Sequence, residues 1–209
     1  MHIPDGSISP HITIPAWTAA APLWAWSLKR MLRGDAVERL PVIGSLTAFA
    51  FVIQTIMIPI PGGTSAHIAG AVLIAILYDP LTAFACESLV LLIQAFVLGI
   101  GGITVLPLNA LALGLLGPLA GWASHLALRN VSRPAALFFA GWAGMVVGAA
   151  ALGGLLGLQH AISPSHFPIP FKVVFPALTV PHLFVGIVEG TYTLLAYAML
   201  QKVLARAAR

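Results

Sequence analysis

Charge is what this chain has least of. Ten of its 209 residues are Lys or Arg and six are Asp or Glu, 8% in all, where an ordinary soluble domain carries about a quarter. So few charges cannot cover a water-facing globule. Cysteine is scarcer still. Cys86 stands alone, which excludes an internal disulfide framework and a thiolate metal cluster. Set in an apolar run, it reads as a small core residue. The N-terminus also lacks the basic stretch and apolar run of a secretory signal. It reads MHIPDGSISPH, polar and broken by two prolines.

What the chain does have is apolar length. Hydrophobic residues make up 59%, and the composition reads as an all-α, multi-pass integral membrane protein in a lipid bilayer. A span needs about 20 apolar residues. The runs predict seven transmembrane helices, at 15–32, 40–58, 67–78, 80–98, 107–128, 134–158 and 176–204. Prolines at 15, 41, 80, 107, 134 and 176 fit first-turn positions. There is no composition break, so residues 1–209 read as a single transmembrane domain. The formal net charge of +4 calls for no nucleic acid, because basic residues in membrane proteins set orientation. Seven passes put Lys29, Arg30, Arg33, Arg39, Arg129, Arg133, Lys202, Arg206 and Arg209 on one side and Lys172 on the other. The expectation is an N-terminus outside and a C-terminus in the cytoplasm, in the plasma (inner) membrane. The helix at 67–78 is the short one, at about 18 Å against a hydrocarbon core of about 30 Å. It begins at His67, after the segment PIPGGTSAHIAG. Interrupted backbone of this kind marks binding sites in transporters.

The first two residues carry particular chemistry. The α-amine of Met1 and the main-chain nitrogen of His2 close a five-membered chelate on one metal. The Nδ1 of His2 closes a six-membered ring on the same ion. One further imidazole completes a planar set of four nitrogens, and His67, on the same outer side, is the candidate. Planar nitrogen suits Ni(II) or Cu(II), and low-spin Co(II) also fits, whereas Zn(II) prefers a tetrahedron. The metal must displace protons, so affinity is expected to fall between about pH 7 and 5 as the two imidazoles take them up. Each residue also has a blander reading. His2 reads equally as part of a frayed tail, and His67 as a hydrogen-bonded loop residue.

Polar residues at membrane depth cost energy and need partners. Gln54, Glu87 and Gln94 read as interhelical packing. Asn109, His182 and Glu189 read equally as packing or as cavity lining. Asp5 reads as the turn-former of PDG, with orientation of an imidazole as its alternative. Glycine pairs four apart, at 117/121, 144/148, 153/157 and 186/190, read as close helix contacts.

MHIPDG, GGTSAHIAG at 62–70, GGITVLPLNALALGLLGP at 101–118 and PHLFVGIVEGTYT at 181–193 resemble the CbiM/NikM family. These are the substrate-binding membrane components of energy-coupling factor (ECF) transporters for nickel and cobalt. Pro107-Leu108-Asn109 stands where family members often have GAN. The resemblance implies seven helices with the N-terminus tucked inward, and a metal held by Met1, His2 and His67. It implies high-affinity uptake of Ni(II) or Co(II) as the transported ligand, with no cofactor. It also implies partners: a transmembrane coupling protein, two cytoplasmic ATPase subunits and often a small extra membrane subunit. The chain has no GxxxxGK[ST] phosphate loop, so ATP hydrolysis is assigned to partners and the chain itself is not read as an enzyme. The alternatives are a stand-alone cation channel or secondary carrier, and an intramembrane hydrolase using Ser65 and His67.

Overall fold

The computed structural model describes residues 2–60 and 64–207. Its elements are mostly helices. α1 spans Pro10–Met31 and a 3-10 turn follows at Gly34–Arg39. α2 spans Leu40–Gln54, and two short strands follow, β1 (Ile58–Ile60) and β2 (Thr64–Ala66). α3 spans only Ala71–Leu77. The long helices α4 (Pro80–Leu98), α5 (Leu106–Leu128) and α6 (Arg133–Ile162) come next, and α7 runs Phe171–Ala207. Among the described residues five segments are long and apolar enough to cross a membrane: Val37–Gln54, Pro80–Leu98, Leu106–Leu128, Arg133–Ile162 and Phe171–Val203. α1 has the length, at 22 residues, and α3 has neither length nor reach.

Several boundaries differ from the sequence reading, for physical reasons. α1 begins at Pro10, so Pro15 lies inside it, as does Pro22. α7 begins at Phe171, so Pro176 and Pro181 are interior. Interior prolines are tolerated where neighbouring helices re-satisfy the freed backbone groups. The chain is not wholly helical, because β1 and β2 form an antiparallel hairpin pairing Ile58 with Ala66 and Ile60 with Thr64. Proline alternating with isoleucine supplies too few amide donors for a helix and suits an edge strand. The helix expected from 67 therefore starts at Ala71, and α2 stops at Gln54 rather than 58. Cys86 is buried, as its apolar setting indicated.

Two contacts locate the parts. Arg30 at the end of α1 pairs with Asp79 at 3.7 Å, and Asp79 caps α4 by accepting from the main-chain N–H groups of Leu81 and Thr82. That end is lined with basic residues. α3 climbs from there for only seven residues, a rise of about 10 Å. The linker ahead of α3 therefore lies well inside the helical body, and His67 is buried to 3% exposure. The main core holds Phe84, Leu108 and Leu152 from α4, α5 and α6, with Val105 just ahead of α5, together with Ile3 and Ile8 of the N-terminal segment. That segment is packed inward, as the family resemblance implied.

α5, α6 and α7 meet through glycine. A Cβ at Gly117 would stand 2.9 Å from the Gly144 carbonyl oxygen, and one at Gly190 would stand 2.5 Å from that of Phe138. A Cβ at Gly141 would meet backbone twice, at 2.6 Å from the Glu189 carbonyl oxygen and 2.8 Å from Gly190 Cα, whereas Gly154 on the same helix faces open space. Gly141→Ala is expected to destabilise the protein by about 1–3 kcal/mol, the range for overpacking. Gly154→Ala should be neutral or stabilising, because alanine is the better helix former. Thermal unfolding of the two variants in one detergent checks the contrast.

Candidate metal site

Residues 2–9 are irregular chain that turns at Asp5–Gly6, with Ile3, Ile8 and Ser9 buried in the helical body, and side chains meet several of their polar backbone groups. The Ile3 N–H donates to Asn109 Oδ1 at 2.9 Å, and Asn109 Nδ2 donates to the Ile3 carbonyl at 3.0 Å. The Ser9 N–H donates to Gln159 Oε1 at 2.8 Å. Asp5 reaches the loop between α4 and α5. There it accepts from the N–H groups of Ile103 (3.0 Å) and Thr104 (2.9 Å) and from the Thr104 hydroxyl. Burial would raise the Asp5 carboxyl, but those donors outweigh it and hold it below the ordinary aspartate range. Gly102 makes the approach possible, since a Cβ there would lie 2.3 Å from Asp5 Oδ1.

This clamp brings His2 to His67. The rings stack with centroids 4.9 Å apart and planes 12° apart. The Nδ1 of His67 faces the Ile68 carbonyl at 3.3 Å, and its Nε2 is buried without a partner among the described residues, as is that of His2. Burial pushes His67 down to about 3, and burial, with the neighbouring His67 adding to it, takes His2 well below the usual histidine value. Burial thus favours the neutral form of both rings, in which a ring nitrogen can donate its lone pair, and works against the expected part of these imidazoles in acid sensitivity. Among the described residues no three His, Cys, Asp or Glu side chains stand close enough to share a metal. The ring pair alone offers two imidazole donors. Met1, the remaining ligand read from the sequence, lies outside the described residues.

The 67–70 linker is held from behind. The N–H groups of Ala69 and Gly70 donate to Glu189 at 2.7 and 2.9 Å. Gln54 Nε2 donates to the Ala69 carbonyl at 2.8 Å and to Glu87 at 2.9 Å, and Gln94 donates to Gln54 Oε1 at 3.2 Å. Gln54, Glu87 and Gln94 are thus interhelical ties, as read. Asn109 and Glu189 hold backbone next to the two histidines. His182 is buried, with Nδ1 facing the Leu178 carbonyl of its own helix at 2.6 Å. The Ser65 hydroxyl faces Met57 Sδ at 3.7 Å and not His67, so the nucleophile–base pair of the hydrolase reading is not formed. Gln159 was missed: an amide near a helix end carries no signal of a partner 150 residues away.

The chain matches the family model for the cobalt uptake substrate-specific transmembrane region over residues 2–207. It is 38% identical to a metal transport protein of Methanocaldococcus jannaschii, over 88% of this chain and 83% of that one. It is 34% identical to a fused nickel transport protein of Rhodobacter capsulatus, over 97% of this chain, and spans 62% of that longer protein. A crystal structure of a transition metal transporter matches it with a TM-score of 0.90 at 32% identity, covering 97% of this chain and 93% of the other. A truncated transition metal transporter matches with a TM-score of 0.89 at 31% identity, covering 97% and 99%.

The Asp5 clamp has a pH dependence with a definite sign. Its folded pKa lies below the unfolded value of about 3.9, so its contribution is present above about pH 4 and is lost as pH falls through the folded pKa. Asp5→Ala should remove it at every pH. Amide exchange at Ile3 reports the result: protection should be high at pH 6, fall in strong acid, and be weak throughout in the variant.

Proposed function

We propose, from the premise that this chain belongs to the CbiM family of cobalt uptake substrate-specific transmembrane regions, that it captures Ni(II) or Co(II) in a planar four-nitrogen site made of Met1, His2 and His67. As a family member it is a multi-pass membrane component of nickel and cobalt uptake. The observation that carries the site is the ring pair: Asn109 holds Ile3 across a separation of 106 positions, and the adjacent His2 stacks on the linker histidine. The α-amine, the His2 main-chain nitrogen and His2 Nδ1 give a compact chelate, and His67 Nε2 supplies the fourth donor. Planar geometry favours Ni(II) or low-spin Co(II) over Zn(II).

In this reading α1 and α3 complete a seven-helix domain over residues 1–209, with the N-terminus outside and the C-terminus in the cytoplasm of the plasma (inner) membrane. The run of basic residues at the α1–α2 and α5–α6 turns supports that orientation. Energy comes from elsewhere, because the sequence has no phosphate loop. The partners proposed are those of an ECF transporter: a transmembrane coupling protein, two ATPase subunits and a small extra membrane subunit.

Metal analysis of protein purified with its native N-terminus tests the reading. One nickel or cobalt per chain is expected, with a diamagnetic nickel centre. One residue inserted between Met1 and His2 should abolish binding while the protein still folds, and His67→Ala should weaken it strongly. A paramagnetic nickel site, or full occupancy in the extended protein, would refute the planar model. Affinity should still fall in mild acid. The competing protons then sit on the α-amine, which titrates near 8, and on the His2 amide. Acetylating the amine should therefore remove binding at all pH values.

A further inference from the structure

The linker that carries His67 is fixed more firmly than its own packing requires. Ala69 has both of its main-chain groups taken by side chains from different helices. Its N–H goes to Glu189 of α7 and its carbonyl to Gln54 of α2. The second carboxylate oxygen of Glu189 takes the Gly70 N–H, so the contact is two-pronged and fixes the rotation of the linker as well as its position. Gly70 then turns the chain into α3 with φ +74°. Behind this, Gln54 is steadied by Glu87 and Gln94. All four side chains are buried, and among the described residues the only ion pair is that of Arg30 with Asp79. Two carboxylates without a cationic partner are expensive at membrane depth. One of them is spent on a linker two residues from His67.

We infer that Glu189, with Gln54 opposite it, is a positioning residue that fixes the direction from which His67 meets the metal and so sets which metal the site accepts. This rests on His67 being a ligand. Planar nitrogen suits Cu(II) as well as Ni(II), so the shape of the site decides between these metals and Zn(II). Zn(II) wants four donors in a tetrahedron. Three donors from Met1 and His2 lie close to one plane by their ring closures. Whether the set is planar or tetrahedral is then decided by the fourth, the His67 imidazole. A linker free to pivot would let that ring swing out of plane and admit Zn(II). The Glu189 and Gln54 contacts remove the pivot.

The test uses the full chain with its native N-terminus, and nickel and zinc as the probes. Two variants act on the same linker by different means. Glu189→Gln leaves one carbonyl to accept two N–H groups. Gly70→Ala puts a side chain where φ is positive and where Ile53 Cδ1 stands 3.4 Å and Ala50 Cβ 3.5 Å away, and it changes no charge. Each is expected to lower nickel affinity by about 10–100-fold, as loss of a ligand's supporting contact does. Zinc affinity should hold or rise, so the nickel-to-zinc preference collapses and the visible band of planar nickel weakens. If Glu189→Gln does not fold, Gly70→Ala decides alone. Folded variants that keep the wild-type nickel affinity and preference overturn the inference. So do variants that lose nickel and zinc in equal measure, since that is merely a damaged fold. His67→Ala separates this from the reading beneath it. If that variant binds nickel like the wild type, the ligand assignment itself fails and this inference goes with it.

Discussion

Backbone that crosses a membrane domain without being helical must find a partner for every N–H and carbonyl. The rest of this structure follows from how residues 2–9 meet that demand. A helix would have satisfied itself and needed nothing from the rest of the fold. Irregular chain cannot, and among the described residues no strand pairs with it. Side chains stand in for the missing neighbour. Asn109 offers Ile3 both a donor and an acceptor, as a strand partner would. Gln159 receives the Ser9 N–H, and Asp5 turns the relation round by accepting from the 103–104 backbone. With those groups paired, Ile3 and Ile8 join the main core, and His2 is left facing His67.

The same demand shapes the surroundings. Residues 67–70 are also irregular backbone, and Glu189 and Gln54 answer them in the same way. The loop that Asp5 holds lies between two helices that both widen as they approach it. α4 ends in π-type turns at Gln94–Leu98, and α5 carries them at Ala110–Leu116, directly after Asn109. Wide turns leave main-chain groups less regularly paired and recur at functional sites. Here they bracket the place where the N-terminal segment is received. Irregularity is thus concentrated around the two histidines, while the α6–α7 pair is regular and close-packed through glycine.

The sequence showed the long helices plainly, because each of α4 to α7 is a run of apolar residues longer than a soluble protein would carry. The glycine contacts were legible too: spacing of four places small residues on one face, and Gly117 and Gly190 do sit against backbone. Proline misled in two places. At Pro15 and Pro176 it marks no start, because tertiary neighbours take over what the helix loses. The hairpin at 58–66 was hidden by the apolar character of its isoleucines. Side-of-membrane reasoning, which expected both on the outer side, was enough to pair His2 with His67, and the two rings do stack. Their supports were not readable. Asn109 and Glu189 announced only that they needed partners, and Asp5 looked like an ordinary turn residue. Partners a hundred positions away leave no local pattern.

The inward N-terminal segment also imposes an order of events on biogenesis. Its anchors lie far along the chain, 106 residues on at Asn109 and 150 residues on at Gln159. The place of residues 2–9 is therefore made by elements that follow far along the chain. Until α5 and α6 are in place, residues 2–9 have neither their core to enter nor those amides to bind. Closing contacts of such long separation is slow compared with pairing adjacent helices. The bundle assembles around a gap, and residues 2–9 seal it.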